Sequence, residues 1–273
     1  MTMSVEVDFR KITTKTLQLL KHKGIKITAL TAYDFITAKL LDSAGIDLIL
    51  VGDSLGNVFQ GNETTLPVTM DEMIYHTKAV CKGIDRAMVV VDMPFMSYQT
   101  NIDEAFRNAG RILKETPAGG VKLEGGERVA ESVRKITEAG IPVMGHIGLT
   151  PQSIHQFGSY KARGRDVTEA EQIINDAVVL EQAGAFAIVL EKIPKELSKT
   201  ISNKIKIPTI GIGAGMHCDG QILVTQDMLG LNVDFHPRFV RYYAELSKII
   251  DSSVRKYIEE IKNNEFPTDQ ESY

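Results

Sequence analysis

Five apolar stretches of this chain run directly into groups that can hold charge or move a proton. Residues 48–51 lead to Gly52-Asp53-Ser54, and 88–91 lead to Asp92. The stretch 121–123 contains Lys122 and leads to Glu124, 141–144 lead to Gly145-His146, and 186–190 lead to Glu191. Two aspartates and a glutamate converging from neighbouring strand ends, with no cysteine set beside them, suit a hard, oxygen-seeking cation. Mg2+ fits, because it takes one or two carboxylates and leaves positions for water or substrate. Asp53, Asp92 and Glu124 are the candidate ligands. Taken singly, each has a plainer reading as a cap on the next helix; three at adjacent strand ends favour a site.

Lys122 lies in the middle of an apolar run, where an unpaired ammonium is costly. It either pairs with Asp92 for structure, binds an anionic or enolate oxygen, or loses its proton and serves as a Schiff-base amine; the second reading is favoured. His146, between Gly145 and Gly148, is open to close approach by a ligand, with a satisfied core histidine as the alternative. Glu191 directly follows a buried run, a setting that raises a carboxyl pKa and makes a usable general base. An ion pair with Lys192 or Lys195 is the plainer possibility. The run Gly211-Ile212-Gly213-Ala214-Gly215 either admits a phosphate or turns a loop, and a lone glycine motif decides little.

These residues need a scaffold that brings strand ends together. Three times a helical stretch ends in Ala-Gly and a β-branched run follows: at Ala44-Gly45, Ala139-Gly140 and Ala183-Gly184. With further runs at 27–32, 88–91, 121–123, 207–212 and 222–224, eight strands are predicted, several continuously apolar as in a parallel sheet covered on both faces. Amphipathic stretches with start signals lie between them, at Thr69-x-x-Glu72, Asn101-x-x-Glu104 and Thr168-x-x-Glu171. Strand and helix alternating eight times predict an α/β fold, a (β/α)8 TIM barrel, rather than an open doubly wound sheet. The reading adds a helix at 11–21 and further helix at 238–262. It makes 1–262 a single catalytic domain followed by a polar tail, 263–273, that is expected to be poorly ordered.

The 273 residues carry 31 basic and 35 acidic side chains, 43% apolar residues and a net charge of -4. No basic patch exists to track a phosphate backbone, so nucleic acid is not an expected partner. The N-terminal stretch has an early acid and no apolar run of signal-peptide length, and no 18-residue apolar stretch occurs elsewhere, so no membrane association is expected. A cytoplasmic protein is expected, with Cys81 and Cys218 as free thiols.

Five strings, Val51-Gly52-Asp53-Ser54-Leu55-Gly56-Asn57, Val91-Asp92-Met93-Pro94-Phe95, Val121-Lys122-Leu123-Glu124-Gly125-Gly126, Gly145-His146-Ile147-Gly148-Leu149-Thr150-Pro151-Gln152 and Gly211-Ile212-Gly213-Ala214-Gly215, together resemble the ketopantoate hydroxymethyltransferase family. The resemblance runs over about 28–231. It implies a (β/α)8 barrel that assembles as a homodecamer and uses 5,10-methylenetetrahydrofolate to hydroxymethylate 3-methyl-2-oxobutanoate on the way to pantothenate. It further implies one Mg2+ per subunit on Asp53 and Asp92, with Glu124 at the metal directly or through water. Ser54 and Lys122 would contact the oxoacid, His146 would lie near it, and Glu191 would accept the proton. Two stretches depart from the family pattern: Phe157 to Gly164, where a Gly-Gly-Tyr-Lys-Val-Gln-Gly string is usual, and Pro117-Ala118-Gly119-Gly120 before the fourth strand.

The charges suggest enolate chemistry: a chelated Mg2+ acidifies the C3 hydrogen, Glu191 removes it, and Lys122 faces the oxygen where negative charge grows. Two other readings stand beside this one. The first is a different Mg2+-dependent 2-oxoacid barrel enzyme of the phosphoenolpyruvate mutase or isocitrate lyase type, which lacks support because neither cysteine is placed as a lyase nucleophile. The second is a non-catalytic oxoacid-binding barrel, which has no reason to keep a base beside a metal.

Overall fold

A computed structural model describes residues 11–233 and 237–273. Along the chain, α1 (Thr14–His22), β1 (Ile27–Thr31), α2 (Phe35–Ser43) and β2 (Leu48–Val51) come first. The short α3 (Leu55–Val58) and α4 (Met70–Cys81) follow, then β3 (Met88–Asp92), α5 (Ile102–Glu115), β4 (Gly120–Glu124) and α6 (Ala130–Glu138). Next are β5 (Val143–Gly148), α7 (Ile154–Phe157), α8 (Val167–Gln182), β6 (Ala187–Glu191), α9 (Lys195–Lys204), β7 (Thr209–Ile212) and β8 (Gly220–Leu223). All neighbouring strands pair in parallel and in sequence order, and β8 closes on β1. This is the (β/α)8 barrel that the alternation predicts, with the added N-terminal helix at 14–22 in place of 11–21.

The continuous apolar runs hide an alternation that matters for the site. On β3 the side chains of Val89 and Val91 pack outward under the helices, while Met88 and Val90 fill the barrel interior. The same division puts Val121 and Leu123 of β4, Val143 and Ile147 of β5, and Ile188 and Leu190 of β6 on the outer layer. Met144 and Val189 face inward. Since strand side chains alternate faces, Asp92, Lys122, Glu124, His146 and Glu191 all continue the inward face at the C-terminal ends. Apolar filling below and charge above is thus one pleat read from bottom to top. From α1, Leu17 and Leu20 join the inner cluster, closing its lower end; fully burying a leucine contributes about 1.5–3 kcal/mol.

Helix starts follow local chemistry. Thr69 and Glu72 form the reciprocal box at α4, the Thr69 hydroxyl accepting from Glu72 N–H and the Glu72 carboxylate accepting from Thr69 N–H at 2.7 Å. Asn101 caps α5 through Glu104 N–H at 2.8 Å. The start expected at Thr168 is corrected: Asp166 is the cap, accepting from Glu169 N–H at 2.9 Å, so α8 begins two residues earlier. The glycine run at 211–215 turns the chain from β7 to β8, with positive φ at Gly213 and Gly215 and Ala214 O accepting from Ser198 Oγ at 2.6 Å. The turn is the reading the structure bears out.

The chain divides after Leu223 into two compact units. The second carries α10 (Thr225–Met228) and α11 (Leu246–Lys262). Helix expected from residue 238 therefore begins only at Leu246, after Leu246 N–H reaches Leu229 O at 3.0 Å. No residue of α11 is buried; Ile249, Ile250, Val254, Tyr257, Ile258 and Ile261 are all exposed. Beyond it, Phe266 lies 5.7 Å from the Tyr257 ring.

Candidate active site

The register aligns the site in two adjacent layers. Asp92 pairs with Lys122 across β3 and β4, and Glu124 pairs with His146 across β4 and β5. Asp53, Asp92, Lys122, Glu124 and His146 are each no more than 4% exposed. Lys122 Nζ lies 3.1 Å from Asp92 Oδ1, 3.6 Å from Glu124 Oε1 and 3.0 Å from His146 Nδ1. The far ring nitrogen, His146 Nε2, is 3.3 Å from Glu191 Oε2. Glu191 is not enclosed as its sequence setting predicts: its side chain is 15% exposed at the barrel mouth.

The charges hold one another in place. Burial opposes a charged Lys122, but Asp92, Glu124 and Asp53 outweigh it and raise its pKa, which favours the ammonium over a Schiff-base amine. Burial likewise opposes the Glu124 carboxylate, yet Lys122 and His146 pull its pKa down. Burial raises Asp53 well above the usual range, with Asp92 and Glu124 adding to it, and burial also raises Asp92. For His146, burial and Lys122 push down while Glu124 and Glu191 push up, to about 9. Nδ1 stands between Lys122 Nζ at 3.0 Å and Glu124 Oε1 at 3.3 Å, and Nε2 faces Glu191.

The glycines beside His146 serve the scaffold. Gly148 has φ +92°, and a Cβ there would stand 2.3 Å from Glu191 O, so the close approach that this glycine permits is taken by β6 backbone. Ser54, half-buried at the start of α3, shares a 2.8 Å hydrogen bond with the Tyr33 hydroxyl. Sequence reasoning passed over Tyr33, Tyr98 and Gln152. Tyr33 follows the first strand, so inspecting that strand's end as well would have found it. Gln152 Nε2 donates to Asp53 Oδ2 at 2.8 Å, and Tyr98 Oη lies 2.7 Å from Gln152 Oε1. Only the convergence of separate loops reveals these two. A cleft of about 570 Å3 opens beside them, with Phe95, Tyr98, Glu124 and Gln152 in its wall.

The donor set suits a hard divalent cation. Asp92 Oδ1 is buried with no hydrogen-bond partner of proper geometry, despite its 3.1 Å approach to Lys122. Asp92 Oδ2 accepts from Asp53 N–H at 3.0 Å, which joins the two aspartates. Among the described residues no group of three or more His, Cys, Asp or Glu side chains is placed to hold a metal ion. Mg2+ asks for less, keeping open positions on one or two carboxylates. Glu124 has both oxygens engaged, Oε1 with Lys122 and His146 and Oε2 with Gln152 N–H at 3.0 Å.

A family model described as ketopantoate hydroxymethyltransferase matches residues 11–269. The chain belongs to the ketopantoate hydroxymethyltransferase family. Relatives named 3-methyl-2-oxobutanoate hydroxymethyltransferase agree over nearly the full length. The one from Chlorobium phaeobacteroides is 59% identical over 266 residues, 96% of each chain, and that from Pelodictyon phaeoclathratiforme is 55% identical over 100% of each. The ketopantoate hydroxymethyltransferase barrel here also superposes on phosphonopyruvate hydrolase, solved with oxalate and Mg++, with TM-score 0.62, 12% identity and coverage of 95% of this chain and 93% of that one. A 2,3-dimethylmalate lyase of the PEP mutase/isocitrate lyase superfamily gives 0.58 and 13%, covering 95% and 91%. At such identity the likeness is one of fold, and it does not compete with the family's own activity. Among the described residues no helix is long and apolar enough to cross a membrane.

Proposed function

We propose that this chain adds a hydroxymethyl group to 3-methyl-2-oxobutanoate, giving ketopantoate for pantothenate synthesis, with 5,10-methylenetetrahydrofolate as the one-carbon donor. The observation that carries the reading is the row from buried Asp92 through Lys122 and His146 to the slightly exposed Glu191. It pairs a fixed cation with a carboxylate at the mouth, as proton abstraction beside a carbonyl requires. Asp53 and Asp92 would hold one Mg2+ per subunit, with Glu124 reaching it through water; when bound, the metal supplies Lewis acidity to the oxoacid carbonyl. Ser54, steadied by Tyr33, contacts the oxoacid. Lys122 faces the oxygen on which negative charge grows as the C3 proton leaves, a preorganised charge that needs no rearrangement. Glu191 accepts that proton, with His146 Nε2 beside its carboxylate at 3.3 Å. The resulting carbanion attacks the donor's methylene carbon, and uptake of water completes the hydroxymethyl group as tetrahydrofolate leaves. The cleft walled by Phe95 and Tyr98 gives the donor room, being within the size range of ligand pockets.

The family resemblance supports a homodecamer working in the cytoplasm, and the exposed apolar residues of α11 offer a face to another copy. Proton NMR of 3-methyl-2-oxobutanoate in D2O with protein and Mg2+ tests the chemistry. Loss of the C3 hydrogen that stops with EDTA is expected. Absence of exchange, both alone and with a tetrahydrofolate analogue, overturns the reading.

A further inference from the structure

Gln152 sits in the single turn that follows β5, with its side chain sent across the barrel mouth toward β2. Every hydrogen-bonding position of its amide is used. The two protons of Nε2 go to Asp53 Oδ2 at 2.8 Å and Met93 O at 2.9 Å. Oε1 accepts from Tyr98 Oη at 2.7 Å and Gln99 Nε2 at 3.0 Å. A flipped amide would set its carbonyl against Met93 O and the Asp53 carboxylate, and its NH2 against that of Gln99, so one orientation alone is satisfied. Tyr98 is fixed in turn, its hydroxyl accepting from Glu124 N–H at 3.1 Å. The Gln152 backbone N–H donates to Glu124 Oε2 at 3.0 Å. One buried residue therefore grips carboxylates from the ends of two strands, β2 and β4.

We infer that Gln152 is a positioning residue, whose oriented amide holds the Asp53 carboxylate, and whose N–H holds that of Glu124, at the angle a divalent cation meets. The inference rests on the proposed use of Asp53 and Asp92 as metal ligands and adds to it the group that aims them. Two features make an amide the right donor. It spends one proton on one lone pair of Oδ2 and leaves the rest of the carboxylate for the metal. It also brings no positive charge, whereas a lysine or arginine there would repel the cation it is meant to help seat. Partners of this kind commonly govern metal affinity because they remove the rotational freedom of the ligand in advance.

The test is calorimetric titration of the full-length protein with Mg2+ alone, for wild type, Gln152→Leu, Tyr98→Phe and the double variant, with thermal melts in parallel. Leucine keeps the volume and the backbone N–H while removing the amide. Gln152→Leu is expected to raise the Mg2+ dissociation constant by roughly 10- to 100-fold, with turnover regained at saturating Mg2+. Tyr98→Phe leaves the amide oxygen accepting from Gln99 alone and should weaken Mg2+ several-fold. The double variant should be clearly less than additive, because Tyr98 reaches Asp53 only through the same amide, its separate contact being with the Glu124 N–H. A Gln152→Leu protein that folds and binds Mg2+ within twofold of wild type overturns the inference, as does strict additivity in the double variant. Lowered melting with an unmoved Mg2+ titration also overturns it, since that is what a merely structural role predicts. Should Gln152→Leu fail to fold, Tyr98→Phe decides alone, an unchanged dissociation constant again overturning the inference. A wild type that binds no Mg2+ defeats the metal reading beneath it, a result distinguishable from all of these.

Discussion

Lys122 is surrounded by the carboxylates of Asp92 and Glu124, with Asp53 adding to the charge that holds its proton. Removing it leaves buried negative charge without a counterion. Lys122→Met is expected to cost about 3–5 kcal/mol of stability by urea denaturation, the usual penalty for breaking a buried pair from one side, and to abolish C3 exchange. Glu191 tests differently, because it touches the ring of His146 and little of the buried cluster. Glu191→Gln should retain binding of Mg2+ and oxoacid while the C3 exchange rate falls by about 10^2- to 10^4-fold; exchange at the wild-type rate would remove Glu191 from the mechanism. These residues were legible in the sequence because each is a charged group where an apolar strand should end. Gln152 and Tyr98 were not, since a glutamine after a proline and a tyrosine in a loop look like any surface polar pair until their loops meet.

Elements inherit their positions from simpler rules, and two of them can be broken singly. Gly148 lets β5 pass against Glu191 O with φ +92°, so Gly148→Ala should displace the β6 end and depress turnover more than it depresses oxoacid binding, read as a split between kcat and KM. At α4, Thr69→Ala is expected to cost about 1 kcal/mol of stability by denaturant titration, as loss of an N-cap does. Its partner Glu72 is held as a carboxylate by the Thr69 backbone and hydroxyl, which lower its pKa. Its contribution is therefore complete above the unfolded carboxylate range and disappears as pH falls through the lowered folded value. Denaturation curves of Glu72→Gln and wild type should accordingly converge in acid. The strands were legible because β-branched runs follow Ala-Gly stops. Their exact starts were less so: Asp166-x-x-Glu169 and Thr168-x-x-Glu171 carry the same spacing, and only the hydrogen bond to Glu169 N–H chooses between them.

At the scale of the whole molecule, a ligand that binds only the folded barrel stabilises it by mass action, about 2.7 kcal/mol at a hundredfold excess over its dissociation constant. Mg2+ should therefore raise the melting temperature and EDTA should reverse the rise; a melting curve indifferent to both would argue against a metal site. Light scattering on an eluting peak should give about ten times the 30.2 kDa chain mass if the family's assembly holds, and charged substitutions at Ile250 and Tyr257 should reduce it if α11 is buried between copies. In sequence an amphipathic helix reads alike whether its apolar face is covered within the chain or by another copy. The uneven burial of the site has a last consequence. Of its ionisable groups Glu191 alone is partly open to water. If Glu191 is the base, a hydrogen lifted from C3 lands at the edge of the solvent, and an isotopic label placed there should wash out into the medium rather than return to the molecule it came from.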